Sequence, residues 1–164
     1  MTKDSRPLVL VAGLVLAASQ AYLIYLVDDL RPNILVLQLT FDANGYWGIL
    51  GQWGEAGREA YRGHFGYDTL HALIYAVFGY LLATRGGVFA AAEARLGRRA
   101  AWMLPVAALL DLLENHLQLQ LLAGPSGAQV AAIPLSALCS AAKWALVLAF
   151  ALWMGWRLSA KLVR

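Results

Sequence analysis

The sequence predicts an all-α membrane protein: a four-helix transmembrane bundle with a long first extracytoplasmic loop containing an amphipathic interfacial helix. Three observations predict it. Hydrophobic residues make up 60% of the 164 residues and charged residues 14%, with mean hydropathy +0.58, a balance typical of membrane chains. Four stretches approach the roughly 20 apolar residues that a span requires. Lys and Arg gather on alternate sides of those stretches.

The first span is expected over 7–27. Lys3 and Arg6 precede it, as in a signal peptide, but it is longer than a signal core and ends in Tyr25-Leu-Val-Asp-Asp29 rather than a small-residue cleavage site. The second span is expected over 66–84, the third over 101–123 and the fourth over 130–156. Trp102, Trp153, Trp156 and Tyr67 lie near span ends, where amphipathic rings favour an interface. The third loop, around Gly124-Pro-Ser-Gly127, is a tight turn that makes spans three and four antiparallel neighbours.

With four spans, Lys3, Arg6, Arg85, Arg95, Arg98, Arg99, Arg157, Lys161 and Arg164 share one side. Arg31, Arg58 and Arg62 face the other, among Asp28, Asp29, Asp42, Glu55 and Glu59. This bias predicts N- and C-termini in the cytoplasm. The net charge of +3 is too small to suggest nucleic acid, and the single Cys139 excludes an intrachain disulfide.

The first loop, 28–65, is too long for a simple connector. Asn33 to Phe41 is apolar enough to be extended, Asp42-Ala-Asn-Gly45 is a turn, and Tyr46 to Arg62 is an amphipathic helix rich in Trp and Gly. Gly48, Gly51, Gly54 and Gly57 recur every third residue, so this helix needs close packing to be ordered, as an outer cap over the bundle.

The chemistry lies in the third span. Asp111, Glu114, Asn115 and Gln118 fall at i, i+3, i+4 and i+7, one face of a helix. An ionised group at bilayer depth costs roughly 2.5–3.5 kcal/mol on insertion scales, so such a face needs partners or a use. In the second span Asp68, His71 and Tyr75 share a face, and Lys143 stands inside the fourth. Counting 1.5 Å per residue along antiparallel helices puts Lys143 level with Asp111, His71 level with Glu114 and Asn115, and Asp68 level with Gln118.

Each residue also has a plain role. Lys143 can be a counter-ion for Asp111 or Glu114. Asn115 can join helices, Asp68 can cap a helix, and His116 lies off the stripe. Ser136 and Ser140 near Lys143 mark a close helix contact more simply than a Ser/Lys dyad. Asp68-x-x-His71 and Asp111-x-x-Glu114 imitate carboxylate metal motifs, but spans one and four offer no acidic ligand at depth, so neither metal nor cofactor is expected.

The expected ligand-binding set is therefore Asp68, His71, Tyr75, Asp111, Glu114, Asn115 and Lys143, lining an intramembrane polar pocket for a lipid or other apolar small molecule. One alternative is a membrane enzyme, an isomerase or hydrolase-like catalyst, with Glu114 or His71 as acid or base. The other is a structural or assembly subunit whose stripe docks a membrane-protein partner.

Trp53-Gly54-Glu55-Ala-Gly57-Arg58-Glu-Ala-Tyr61, Asp68, Tyr75, Asp111-Leu-Leu-Glu114-Asn115 and Lys143-Trp144 resemble the pattern of a family of small four-span bacterial integral membrane proteins of uncharacterised function. The resemblance covers Leu39 to Trp144. It implies the bacterial inner membrane and no particular activity. The layout is also similar, at the level of fold alone, to the emopamil-binding-protein superfamily of four-span sterol-handling proteins, and no residue role is carried over.

Overall fold

The structure, a computed structural model, describes residues 5–123 and 130–162. Among them are five α-helices: α1 Ser5–Val27, α2 Ile34–Gln38, α3 Ala43–Arg85, α4 Ala94–Leu122 and α5 Ala132–Leu162. A short 3-10 turn, Ala91–Glu93, leads into α4. The expected turn at 124–129 lies outside the described residues.

α3 is the axis of the molecule. Asp42 caps it by accepting from the Gly45 amide at 2.8 Å, so the expected Asp42–Gly45 turn is a helix start. The helix then continues past the expected loop boundary to Arg85. Its one interruption is Gly54, at φ 64° and ψ −165°, where the chain bends. That conformation is essentially reserved for glycine.

The stretch expected to be extended is also helical in part. Asn33 accepts from the Val36 amide and starts α2. Trp53 Nε1 donates to the Pro32 carbonyl at 2.7 Å and fastens this region to α3. Of the regularly spaced glycines only Gly57 is tightly packed: a Cβ there would meet Trp53 at 2.7 Å, while Gly48 and Gly51 face open space. The cap is thus not ordered through its glycines. It is ordered by helix continuity and by its aromatic residues.

α4 packs along both α3 and α5, and α1 packs chiefly on α3. Gly79 lets α4 approach α3 closely, since a Cβ there would come within 2.6 Å of Leu104. Two apolar clusters result. One gathers Leu37, Tyr46, Leu50, Trp53, Tyr61, Phe65, Leu121 and Ile133. The other gathers Ala72, Tyr75, Ala100, Leu104, Ala107, Phe150 and Met154. The buried polar residues of α3, α4 and α5 lie between them in sequence and in space.

This architecture overturns the four-span transmembrane bundle. Among the described residues two helices, Pro7–Val27 and Ala132–Lys161, are long and apolar enough to cross a membrane by length and composition. The expected second span is the later half of a 43-residue helix. The expected third span, within α4, spends its inner face on Asp111, Glu114, Asn115 and Gln118. Both are organised around internal ion pairs and hydrogen bonds. The correction extends to everything that rested on four spans: the inner-membrane location, the cytoplasmic termini, the membrane-lipid and membrane-protein partners, the intramembrane pocket and its two membrane-based alternatives, and the resemblance to four-span families.

Candidate functional site

The site begins with a buried ion-pair triad. Lys143 Nζ of α5 lies 2.6 Å from Asp111 Oδ1 and 2.7 Å from Glu114 Oε2, both on α4. Positions 111 and 114 are one turn apart, so a single lysine reaches both. Tyr75 Oη of α3 donates to Asp111 Oδ2 at 3.0 Å. Glu114 is completely buried. Burial raises its carboxyl to about 7 against the opposing pull of Lys143. Asp111 is raised for the same first reason, burial, again opposed by Lys143.

A second group surrounds Asp68. Asn115 Nδ2 of α4 donates to Asp68 Oδ2 at 2.8 Å. Among the described residues no cation pairs with Asp68, whose other oxygen, Oδ1, has no protein hydrogen bond. Asp68 is mid-helix in α3, so it is not a helix cap. One turn on, His71 Nδ1 meets Ser19 Oγ of α1 at 2.9 Å, and Tyr67 Oη donates to that same Ser19 oxygen at 3.1 Å. Burial lowers the His71 pKa below its ordinary value and keeps the ring neutral near pH 7, with Asp68 pulling the other way.

A third set lies on the side of α2 and the start of α3. Tyr46 Oη donates to Gln118 Oε1 at 2.6 Å, and Gln118 Nε2 donates to Ser136 Oγ at 2.8 Å. Ser140 donates to the Ser136 carbonyl within α5. In and around the triad four buried polar atoms lack a well-aligned hydrogen bond among the described residues: Tyr61 Oη, Asn115 Oδ1 and both Glu114 oxygens, of which Oε2 meets Lys143 as an ion pair.

In front of these groups is a cavity of about 830 Å³ lined by α1, α3, α4 and α5, with Ile34, Leu35 and Gln38 of α2 also on its wall. Its walls are mainly apolar, from Leu16 of α1, Phe78 of α3, Leu104 of α4 and Val147, Phe150 and Met154 of α5. Its polar groups include Asp68, His71, Tyr75, Asp111 and Lys143. Trp144 Nε1 donates to Gln38 Oε1 at 3.4 Å where α5 meets α2.

The expected site residues thus divide. Asp68, His71, Tyr75, Asp111 and Lys143 line the cavity, whereas Glu114 and Asn115 stand behind it as partners of Lys143 and Asp68. His116 is exposed on the other side of α4. Ser19, Tyr67, Gln38 and Trp144 belong to the surroundings of the site; Ser19 and Gln38 escaped the sequence reading, which has Tyr67 only as a span-end ring and Trp144 only within the family pattern. For Ser19 the available signal was a Ser19-Gln20 pair interrupting an apolar stretch. Among the described residues no cluster of His, Cys, Asp and Glu has the arrangement of a metal site.

Three buried acids, Asp68, Asp111 and Glu114, share this region with the buried cation Lys143, which is paired with Asp111 and Glu114. No known protein family matches the chain, and neither a curated protein nor a solved structure matches it.

Proposed function

We propose that the protein binds an organic ammonium carried on an elongated apolar body. The head sits against Asp68, and the body runs along Leu16, Phe78, Leu104 and Phe150. The observation that carries this reading is Asp68 itself: a carboxylate only 7% exposed, lining an apolar cavity, with a neutral amide as its sole hydrogen-bond partner and no ion pair among the described residues. A carboxylate withdrawn from water is costly unless a positive partner meets it. Lys143 does not serve, because Asp111 and Glu114 already hold it.

The cavity volume is in the range of small-molecule sites, and the apolar wall with a few convergent polar groups is their usual composition. Asp111 and Lys143 neutralise each other in this reading and form part of the wall. Tyr75 holds Asp111 in place.

Titration calorimetry on the purified protein with octylamine, octanol and octanoate tests the reading. Octylamine should bind best, and Asp68→Asn should weaken it about tenfold or more, the loss of one charge-assisted contact. Octanoate binding as well as octylamine, or an unchanged affinity in D68N, would contradict it.

A further inference from the structure

His71 presents the second polar atom of the head-group site, and its hydrogen-bond chain fixes what that atom can do. Tyr67 Oη donates to Ser19 Oγ. Ser19 is buried, and with Tyr67 donating to it the one acceptor within reach of its own hydroxyl hydrogen among the described residues is His71 Nδ1, 2.9 Å away; an Nδ1–H there would leave that hydrogen unpaired. Nδ1 then accepts, and a neutral imidazole that accepts at Nδ1 carries its hydrogen on Nε2. Burial keeps the ring neutral.

Nε2 has no protein partner among the described residues, and it is not among the fully enclosed polar atoms that lack one. His71 lines the cavity. Nε2–H therefore faces the cavity as a donor. Asp68 stands three residues earlier on the same face of α3, so its carboxylate and this N–H are neighbours across one helical turn. Ser19, Tyr67 and Asn115 do not line the cavity, so none of them competes for the ligand.

We infer that the ligand of this site is a β-oxygenated amine, with an ammonium donating to Asp68 and an acceptor oxygen on the β carbon, three bonds from the nitrogen, taking the hydrogen of His71 Nε2. The inference rests on the ammonium reading above and narrows it to amino alcohols, amino ethers and related amines. Ser19 and Tyr67 are positioning residues: they set the tautomer of His71 without touching the ligand. The converse tautomer would present a bare Nε2 acceptor, repel the ligand oxygen and favour a head group with donors only.

Two measurements test this together. Nitrogen-resolved NMR of the unliganded protein should place the His71 hydrogen on Nε2, and Tyr67→Phe should shift the ring toward a mixture of tautomers, since the Ser19 hydroxyl then loses the incoming donor that polarises it toward Nδ1. Calorimetry should find β-methoxyoctylamine, whose oxygen only accepts, about tenfold tighter than octylamine, a preference that shrinks in Tyr67→Phe and Ser19→Ala. A hydrogen on Nδ1 in the native protein overturns the inference without any ligand. Equal affinities for the two amines overturn it and leave the ammonium reading standing. Failure of both amines to bind overturns the two together.

Discussion

Lys143 Nζ lies 2.6 Å from Asp111 Oδ1, and this contact joins α5 to α4 where the two apolar clusters of the molecule part. The pair is nearly free of solvent, with side chains 6% and 4% exposed. Lys143→Met should leave Asp111 and Glu114 as two buried carboxylates without a cation, at a cost of about 3–5 kcal/mol. Denaturant unfolding of K143M should show that loss, and adding Asp111→Asn should recover part of it. Native-like stability of the single variant would mean that the pair is not structural.

Glu114 gives the triad a pH dependence with a definite sign. Its carboxyl is raised from an ordinary 4.5 to about 7 by burial. Between those values the folded protein holds a proton that the unfolded chain has released. The contribution is therefore fully present below pH 4.5 and is lost as pH rises through about 7, a span worth about 3 kcal/mol. Glu114→Gln should remove that fall, so E114Q gains on the parent protein as pH rises. Asp111, raised by burial as well, leaves a weaker slope of the same sign in the variant. Melting temperatures of both proteins across that window check the prediction, and parallel curves would refute it.

Tyr61 is wholly buried among Trp53, His64 and Phe65, yet its hydroxyl lacks a well-aligned partner among the described residues. Removing an unpartnered buried hydroxyl relieves a desolvation penalty. Tyr61→Phe should therefore leave stability unchanged or raise it by about 1 kcal/mol. Tyr46→Phe should do the opposite, losing about 1 kcal/mol, because Tyr46 Oη is bonded to Gln118 at 2.6 Å. Side-by-side thermal melts distinguish the two tyrosines.

Gly54 is the bend of α3. Nothing lies within 4 Å of a Cβ placed there, so space does not forbid a side chain. The backbone does: φ 64° and ψ −165° strain any L residue, at about 1–3 kcal/mol. Gly54→Ala should be destabilising by that amount, while Gly51→Ala in the same helix, with open space around it, should be neutral or stabilising.

The polar constellation was legible because helical periodicity reports a face whatever that face meets. Asp111, Glu114 and Gln118 are all buried on the inner side of α4, and the rise along antiparallel helices set Lys143 level with Asp111. The environment of the helices was not legible. A window of hydropathy does not distinguish a helix surrounded by other helices from one surrounded by hydrocarbon, and α3 carries its cap segment and its supposed span without a break at Gly66. Ser19 was hidden because one hydroxyl in α1 acquires meaning only when α3 brings His71 beside it. Asp68 reads as a helix cap only for a helix that starts at Gly66, and α3 starts at Ala43.

The most direct test of ligand binding at Asp68 is photoaffinity mapping with an octylamine that carries a diazirine near its tail. Binding at Asp68 should place labels on Leu16, Phe78, Val147 and Phe150 inside the cavity, lost in Asp68→Asn and competed away by unlabelled octylamine. Labels confined to exposed residues such as Leu10, Leu14 and Leu152, with equal yield in D68N, would contradict it.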